Sequence, residues 1–492
     1  MAPVLVWFRQ DLRLANNAAF AAAVATGRPV IPVFILDTDP DLRSIGAATR
    51  WWLDKSLRAM RSALSTLGGH LILRQGQALA ALTRLIDETG ADTVLWNRSY
   101  DPKIVIRDTG LKATLTASGV VCHSFAATLL NEPWAVSTGD GRPFRVFTAY
   151  WRAARRALEA GGPPGGIEDT PVWGPTPAGE TLSSWNLHPS APDWSQGFCD
   201  WRPGEVGAAR RLQDFLVSAL MAYRNGRNIP AEPLTSRLSP HLHFGEISPG
   251  QVWAAILTAL DQQDFSEDDA EAFLRQLGWR DFNHQLVFYE PQMTTQAFNL
   301  KFSTFPWRED PTGFEAWKVG RTGYPMVDAG MRELWSTGWM HNRVRMVVAS
   351  FLTKHLLINW RDGEAWFWDT LVDADCANNI ANWQWVAGCG ADAAPYFRIF
   401  NPTLQGEKFD SDGRYVRRWV PELAALPDRF IHNPAAAPAD LRLRLGIELG
   451  VTYPVPIVDH AFARARAIEA HRTLDTTGSA FSAPTPHEEL RV

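Results

Sequence analysis

A chain of 492 residues is too long for one ordinary hydrophobic core, so two domains and a connecting segment are expected, with room to bury a large cofactor. With 46% hydrophobic and 21% charged residues the composition is that of a soluble globular protein, and no uninterrupted apolar run is long enough to cross a bilayer. A net charge of -5 neither announces nor excludes nucleic acid, because phosphate binding depends on a local basic patch and not on the total.

The start, Met1-Ala2-Pro3-Val4, lacks a basic stretch followed by a signal-type apolar core, and a cytoplasmic protein without membrane contact is expected. Cys122, Cys199, Cys376 and Cys389 form no C-x-x-C pair, which argues against zinc ribbons and disulfide frameworks. Reduced, buried thiols and no metal site are expected. The 22 tryptophans far exceed ordinary usage, and a bulky aromatic core is the plainest account of any one of them.

In chain order, β-branched runs at 4–8, 30–36, 70–74, 93–96 and 120–125 alternate with Ala-, Leu- and Arg-rich stretches. That alternation predicts an α/β domain over 1–130, a parallel, Rossmann-like sheet with crossover helices. No G-x-G-x-x-G follows the first run, so the usual dinucleotide site is not supported there. Periodicity weakens over 131–203, apart from a short helical pattern at 147–160, and Pro and Gly gather at 161–166 and 171–177, as in a long surface connection between domains.

From 204 to 473 the pattern turns to period 3.6, predicting an all-α domain. Helix starts are signalled by Ser248-Pro249 and by Ser266-x-x-Asp269, the second ahead of a run ending near Tyr289. The stretch 474–492 is rich in Thr, Ser, Pro and Glu and is expected to be a disordered tail.

Within this half, Thr235-Ser236-Arg237-Leu238-Ser239-Pro240 joins hydroxyls, an arginine and free N–H groups near a helix start, a weak sign of a pyrophosphate site. Gln276, Trp279, Arg280 and Asn283 share one helix face, either solvated or fit to stack and hydrogen-bond a nucleobase. An unbroken helical pattern over 340–358 projects Asn342 and Met346 together, with Arg343 and Arg345 beside them, either a core gap with paired arginines or one pocket wall. Between Asp373 and Trp385, two acids, three asparagines and two tryptophans are too polar for a bundle core, and Asn379 and Trp383 fall one turn apart.

These segments, in this order, resemble the photolyase and cryptochrome family. Val6-Trp7-Phe8-Arg9-Gln10-Asp11-Leu12-Arg13 resembles the family's opening signature, and Thr235 to Ser239 its flavin phosphate loop. Gly338-Trp339-Met340-His341-Asn342-Arg343-Val344-Arg345-Met346, the Asp373 to Trp385 segment and Tyr396-Phe397-Arg398-Ile399-Phe400-Asn401-Pro402 complete the match.

The resemblance implies an α/β antenna domain joined to an all-α C-terminal domain holding folded FAD. Tyr223, Thr235, Ser236, Arg237, Leu238 and Ser239 would meet the nucleotide; Arg345, Asp373, Ala374 and Asp375 would lie near its ring and ribose. Asn379 would face the reactive edge of the flavin, where an amide can hydrogen-bond a ring nitrogen in either protonation state without adding charge. Gln276, Trp279, Asn283, Asn342, Met346 and Trp385 match positions that hold a flipped-out lesion, and Arg227, Arg280, Arg343 and Gln405 match contacts to DNA. Trp383, Trp360 and Trp307 match the chain that carries electrons to the flavin.

The implied activity is blue-light repair of cyclobutane pyrimidine dimers in UV-damaged DNA by a monomer, with no protein partner. One departure is Gln276, where dimer-specific relatives place a glutamate that can supply a proton. The (6-4) photolyases carry glutamine there, but also two histidines where this chain has Asn342 and Met346, so a (6-4) mechanism is disfavoured. A cryptochrome-like photoreceptor without repair is the alternative. Asn97, Tyr100 and Asp101 lie where folate-binding relatives meet methenyltetrahydrofolate, with aspartate in place of their glutamate, so this antenna is expected ahead of a deazaflavin. The clustered C-terminal cysteines of iron-sulfur relatives are absent.

Overall fold

The computed structural model describes residues 1–160, 170–262, 266–393 and 397–476. The Gly161 to Gly166 run, Tyr396 and the tail beyond 476 lie outside the described residues.

Five strands form one parallel sheet: β1 (Val4–Phe8), β2 (Val30–Asp37), β3 (Ile72–Gly76), β4 (Thr93–Asn97) and β5 (Val121–Phe125), in the order β3-β2-β1-β4-β5. Each of the four connections between successive strands carries one helix, Ala18–Ala25, Ala47–Thr66, Ala78–Thr89 and Pro102–Ala117 in turn. β1 and β2 are buried on both faces, as continuous apolar runs require when helices cover both sides. The strand order reverses at β1, between β2 and β4, and a crevice opens there beyond the carboxyl ends of the strands. β3 starts two residues later than the sequence pattern places it, because His70 and Leu71 precede the register with β2.

The second half is helical, with start signals that behave as read. Ser248 and Gln251 cap one another reciprocally ahead of Pro249–Gln262, and the Ser266 hydroxyl accepts from the Asp269 N–H at the start of Glu267–Tyr289. One pattern does not run unbroken: Asn342–Ser350 is α-helical, Phe351–His355 is a π-turn, and Leu357 takes a left-handed φ of 57°. The last helix, His460–Thr476, carries order past the expected tail boundary.

The stretch 131–203 is not merely a surface connection. Its helix Phe147–Ala160 sends Phe147, Tyr150 and Trp151 into the helical core, while Leu182, Trp185, Phe198 and Trp201 pack under the sheet. Hydrophobic burial on both sides makes it a wedge between the layers. Of the cysteines, Cys122 and Cys389 are buried, whereas Cys199 is exposed. Among the described residues no helix is long and apolar enough to cross a membrane, and no cluster of His, Cys, Asp or Glu could hold a metal ion.

The two halves meet through backbone approaches that need glycine. A methyl group on Gly46 would collide with the Trp368 carbonyl oxygen and lie 2.7 Å from the Asp369 Cα, and one on Gly245, whose φ is +62°, would strike the Gln10 carbonyl. Gly46→Ala is therefore expected to lower folding stability by about 1–3 kcal/mol, read as a drop in thermal midpoint with the far-UV spectrum unchanged.

Candidate functional site

The loop Thr235 to Ser239 leads into the short helix Ser239–His243, with Leu238 anchored in the core at 1% exposure. Arg237 takes a left-handed φ of 51°, which turns its guanidinium between the Trp201 and Trp339 rings, 4.4 and 4.7 Å from their centroids. Burial lowers its pKa, and its Nε is buried with no partner among the described residues. A desolvated arginine with an unspent donor beside the hydroxyls of Thr235 and Ser236 is a donor set suited to a phosphate anion.

Ser239 also donates its hydroxyl to Asp373 Oδ2 at 2.6 Å. Arg345 grips both oxygens of Asp373 at 3.1 and 2.8 Å, and its own Nε is held by the Met340 carbonyl at 2.8 Å. Loop, helix Asn342–Ser350 and the Asp373 turn are thus locked by one bidentate pair. Two residues on, Asp375 caps Cys376–Ala387, accepting from the Asn378 N–H at 2.8 Å, with His284 at 3.4 Å and His243 at 3.9 Å. Burial pushes its carboxyl upward, but His284 and His243 outweigh that and hold it well below the usual carboxylate range. Ala374 between them is buried, and Tyr223 is packed edge-on against Phe215 and Phe273.

On Cys376–Ala387, Asn379 is 9% exposed, and its Nδ2 donates to the Glu364 carbonyl at 3.0 Å and to Glu364 Oε1 at 2.7 Å. Neither of those oxygens can donate in return, so the amide is oriented and its Oδ1 is left as the free end.

The residues expected around a lesion are held by neutral partners. Arg227 donates to Gln276 Oε1 at 3.0 Å, and Gln276 Nε2 returns to the Ala272 carbonyl at 3.1 Å. Arg343 donates to Asn228 Oδ1 at 2.8 Å and lies over Phe409; burial, then Arg227 and Arg398, lower its pKa. His341, the N-cap of this helix, is driven down to about 3 by burial and by Arg343, Arg345 and Arg227, so it stays neutral. Asn342 is exposed in the first turn, with Met346 half-buried one turn on. Trp385 is half-buried, its indole N–H on the Asp392 carbonyl at 3.1 Å, and Gln405 is half-buried on Pro402–Phe409.

The helix Glu267–Tyr289 does not offer a single common face. Trp279 is stacked on Phe147 at 3.8 Å and 9°, so one ring face is covered. Asn283 is buried and donates to Asn378 at 2.9 Å. Arg280 is the clearest departure from the expected DNA contacts: it donates to the Thr128 carbonyl at 2.6 Å and the Leu242 carbonyl at 3.4 Å, and it lines the crevice between the domains. The long side chain spends its donors on these carbonyls and not on a free surface.

Trp383 and Trp360 are 2% and 3% exposed, and Trp307 is half-buried. Trp383 packs on Gly363, in the helix that Trp360 opens, with Phe367 edge-on at 5.0 Å. Its indole N–H is buried without a partner among the described residues. Trp360 and Trp307 line the crevice, so exposure rises along the series.

That crevice holds about 1320 Å³, walled by the carboxyl ends of β1, β2 and β4 and by the helix Trp360–Thr370. Asn97, Tyr100 and Asp101 border it but are spent on the scaffold. Asn97 donates to Asp11 and Asn17 and accepts from the Ala19 N–H, Tyr100 donates to Glu132 at 2.8 Å, and Asp101 caps Pro102–Ala117. Sequence reasoning missed Glu364, Arg43, His243 and His284, which surround Asn379 and Asp375. Only the carboxylate of Glu364, on a largely apolar helix face, offered a signal.

Family models match in two blocks, "DNA photolyase" over residues 4–171 and "FAD binding domain of DNA photolyase" over residues 273–473. The deoxyribodipyrimidine photo-lyase of Agrobacterium fabrum is 52% identical over 97% of this chain and 99% of its own length. Cryptochrome-1 of Arabidopsis thaliana is 40% identical over 95% of this chain and 70% of its own length. The crystal structure of a bacterial class III photolyase from Agrobacterium tumefaciens superposes with a TM-score of 0.92 at 51% identity, covering 97% of this chain and 98% of that one. The locked phosphate-type loop and the oriented amide fit the flavin that these matches name, and the chain belongs to the photolyase and cryptochrome family.

Proposed function

We propose that the protein is a deoxyribodipyrimidine photolyase, which binds FAD in its helical half and uses blue light to reverse cyclobutane pyrimidine dimers in DNA. The observation that supports it most is convergence: the Thr235 to Ser239 loop, the Arg345–Asp373 pair and Asn379 come together beside arginines that, among the described residues, hydrogen-bond to neutral groups. Bound and reduced, FAD supplies the electron that light sends to the dimer and that returns once the ring has opened.

The protein's own residues bind, orient and exclude water. Arg237, Thr235, Ser236 and Ser239 hold the phosphates, Tyr223 and Leu238 wall the nucleotide, and Asn379 presents Oδ1 to the ring edge. A dimer hidden in a stacked duplex must be extruded, at a cost its weakened stacking reduces. Trp279, with one ring face already on Phe147, and Trp385 offer the remaining aromatic surface; Asn342, Met346 and Gln276 line the pocket, and Asn283 sets its floor through Asn378. Arg227, Arg343 and Gln405 meet the DNA strand, whereas Arg280 serves the cofactor side of the fold. Trp383, Trp360 and Trp307 relay electrons from the surface. The protein works as a cytoplasmic monomer on this reading.

Reduced, FAD-loaded protein given a thymine-dimer oligonucleotide and blue light should remove dimers in proportion to dose; with flavin bound and no loss of dimers, the cryptochrome-like reading favoured by the Arabidopsis match would take its place.

Gln276→Glu separates two contributions of that position. A carboxylate 3.0 Å from Arg227 would ion-pair with it and cancel part of the field that attracts phosphate, while restoring an acid against the lesion. Repair per bound complex should be kept or raised, with DNA affinity lowered by about tenfold or less at low salt. Abolished repair at unchanged affinity would falsify this account of the position.

The crevice is proposed to take the antenna pigment, methenyltetrahydrofolate ahead of a deazaflavin, with Tyr100 and Asp101 at its wall and Asn97 bracing them. Protein purified with its native pigments should show near-ultraviolet absorption beyond that of flavin, and bulking the crevice with Ile104→Trp should remove it while FAD stays bound; a spectrum of FAD alone would sink the antenna assignment.

A further inference from the structure

We propose that Arg43, on the loop leaving β2 of the α/β domain, is a positioning residue for Asn379 and acts through Glu364. The inference rests on the FAD reading of the helical site. Asn379 is oriented by two acceptors on Glu364, one backbone and one carboxylate, at 3.0 and 2.7 Å. The carboxylate is itself held fork to fork: Arg43 Nη1 donates to Oε1 at 2.7 Å and Nη2 to Oε2 at 3.0 Å.

Exposure shows why the arginine matters. The Glu364 side chain is 9% exposed and that of Arg43 38%, so the acid is nearly desolvated while its partner reaches in from the crevice. An acid in that setting without a cation would turn toward water and leave the amide of Asn379 with its backbone acceptor alone. The loop is fastened on both sides of the pair. The Arg43 guanidinium lies 4.1 Å from the Trp368 ring centroid, the Trp368 indole donates to the Ser44 carbonyl at 2.8 Å, and the Ala47 N–H donates to Asp369 at 2.9 Å. The α/β domain therefore sets the rotamer of an amide in the helical domain through one ion pair, and both members of that pair line the crevice.

The test compares FAD-loaded variants photoreduced without oxygen, then followed by visible absorption in the dark after air is admitted. Arg43→Ala and Glu364→Leu should each speed reoxidation by about three- to tenfold, the cost of loosening one charge-assisted hydrogen bond. Arg43→Lys, a point charge in place of a fork, should fall between parent and Arg43→Ala, and the double variant should be no faster than either single one. Asp369→Ala, which frees the Ala47 contact without touching Glu364, should reoxidise at the parental rate. Parental reoxidation in Arg43→Ala with FAD retained, or equal acceleration in Asp369→Ala, would overturn the proposal. A parental protein that retains no FAD would instead overturn the cofactor reading beneath it.

Discussion

Two arginines, Arg13 fully buried and Arg280 half-buried, tie the sheet to the helices, and the rest of the molecule is arranged around that knot. Arg13 is fully buried and donates to the carbonyls of Asn16, Ala127 and Gly245, each at 2.9 Å, while the Leu12 N–H meets the Phe244 carbonyl. Arg280 meets the carbonyls of Thr128 and Leu242, in the same two segments. Burial brings the Arg13 pKa down to about 10, with Asp11 and Glu205 pulling the other way, so it stays charged at neutral pH. A charge kept in the interior must be surrounded by dipoles, and here those dipoles are the exit of β5 and the helix that follows the phosphate-type loop. Neither segment can move without uncovering a cation. The opening signature of the chain is thus a clamp on the cofactor loop, and the crevice is the space that the clamp leaves.

Much of this was legible in the residues, and the parts that were not share a cause. Period-2 and period-3.6 patterns located the strands and long helices because each buries one or both faces against a neighbour, which periodicity records directly. The Asp373 to Trp385 segment betrayed itself because asparagines inside a helix need partners, and Asn378 and Asn379 have them in Asp375 and Glu364. Arg280 could not be placed: four residues of one helix face predict a shared direction, but a long side chain answers to the nearest unsatisfied carbonyls, which belong to residues far away in sequence. Arg43 was invisible for the same reason, since its meaning lies wholly in Glu364, 321 positions away. The connector over 131–203 looked like a surface loop because its buried aromatics serve two cores in turn and so follow no single period.

A chain of net charge -5 can still present a positive mouth if its nearby acids are spent. Asp373 is neutralised by Arg345, and Asp375 faces two histidines. Glu333 is pushed up to about 7 by burial, although the Tyr415 hydroxyl and the His341 N–H oppose it, and Asp281 is raised to about 6 by burial against the pull of Arg280. Near neutral pH Glu333 is therefore only partly ionised. Arg227, by contrast, hydrogen-bonds to the Gln276 amide and the Ala272 carbonyl, and Arg343 to the Asn228 amide, partners that fix geometry and cancel no charge. The glutamine at 276 belongs to this scheme: it aims Arg227 as a carboxylate would, but leaves the cation's field intact for a phosphate strand. What it gives up is an ionisable proton beside the lesion, so at this position stronger attraction to DNA and acid assistance to the dimer are alternatives.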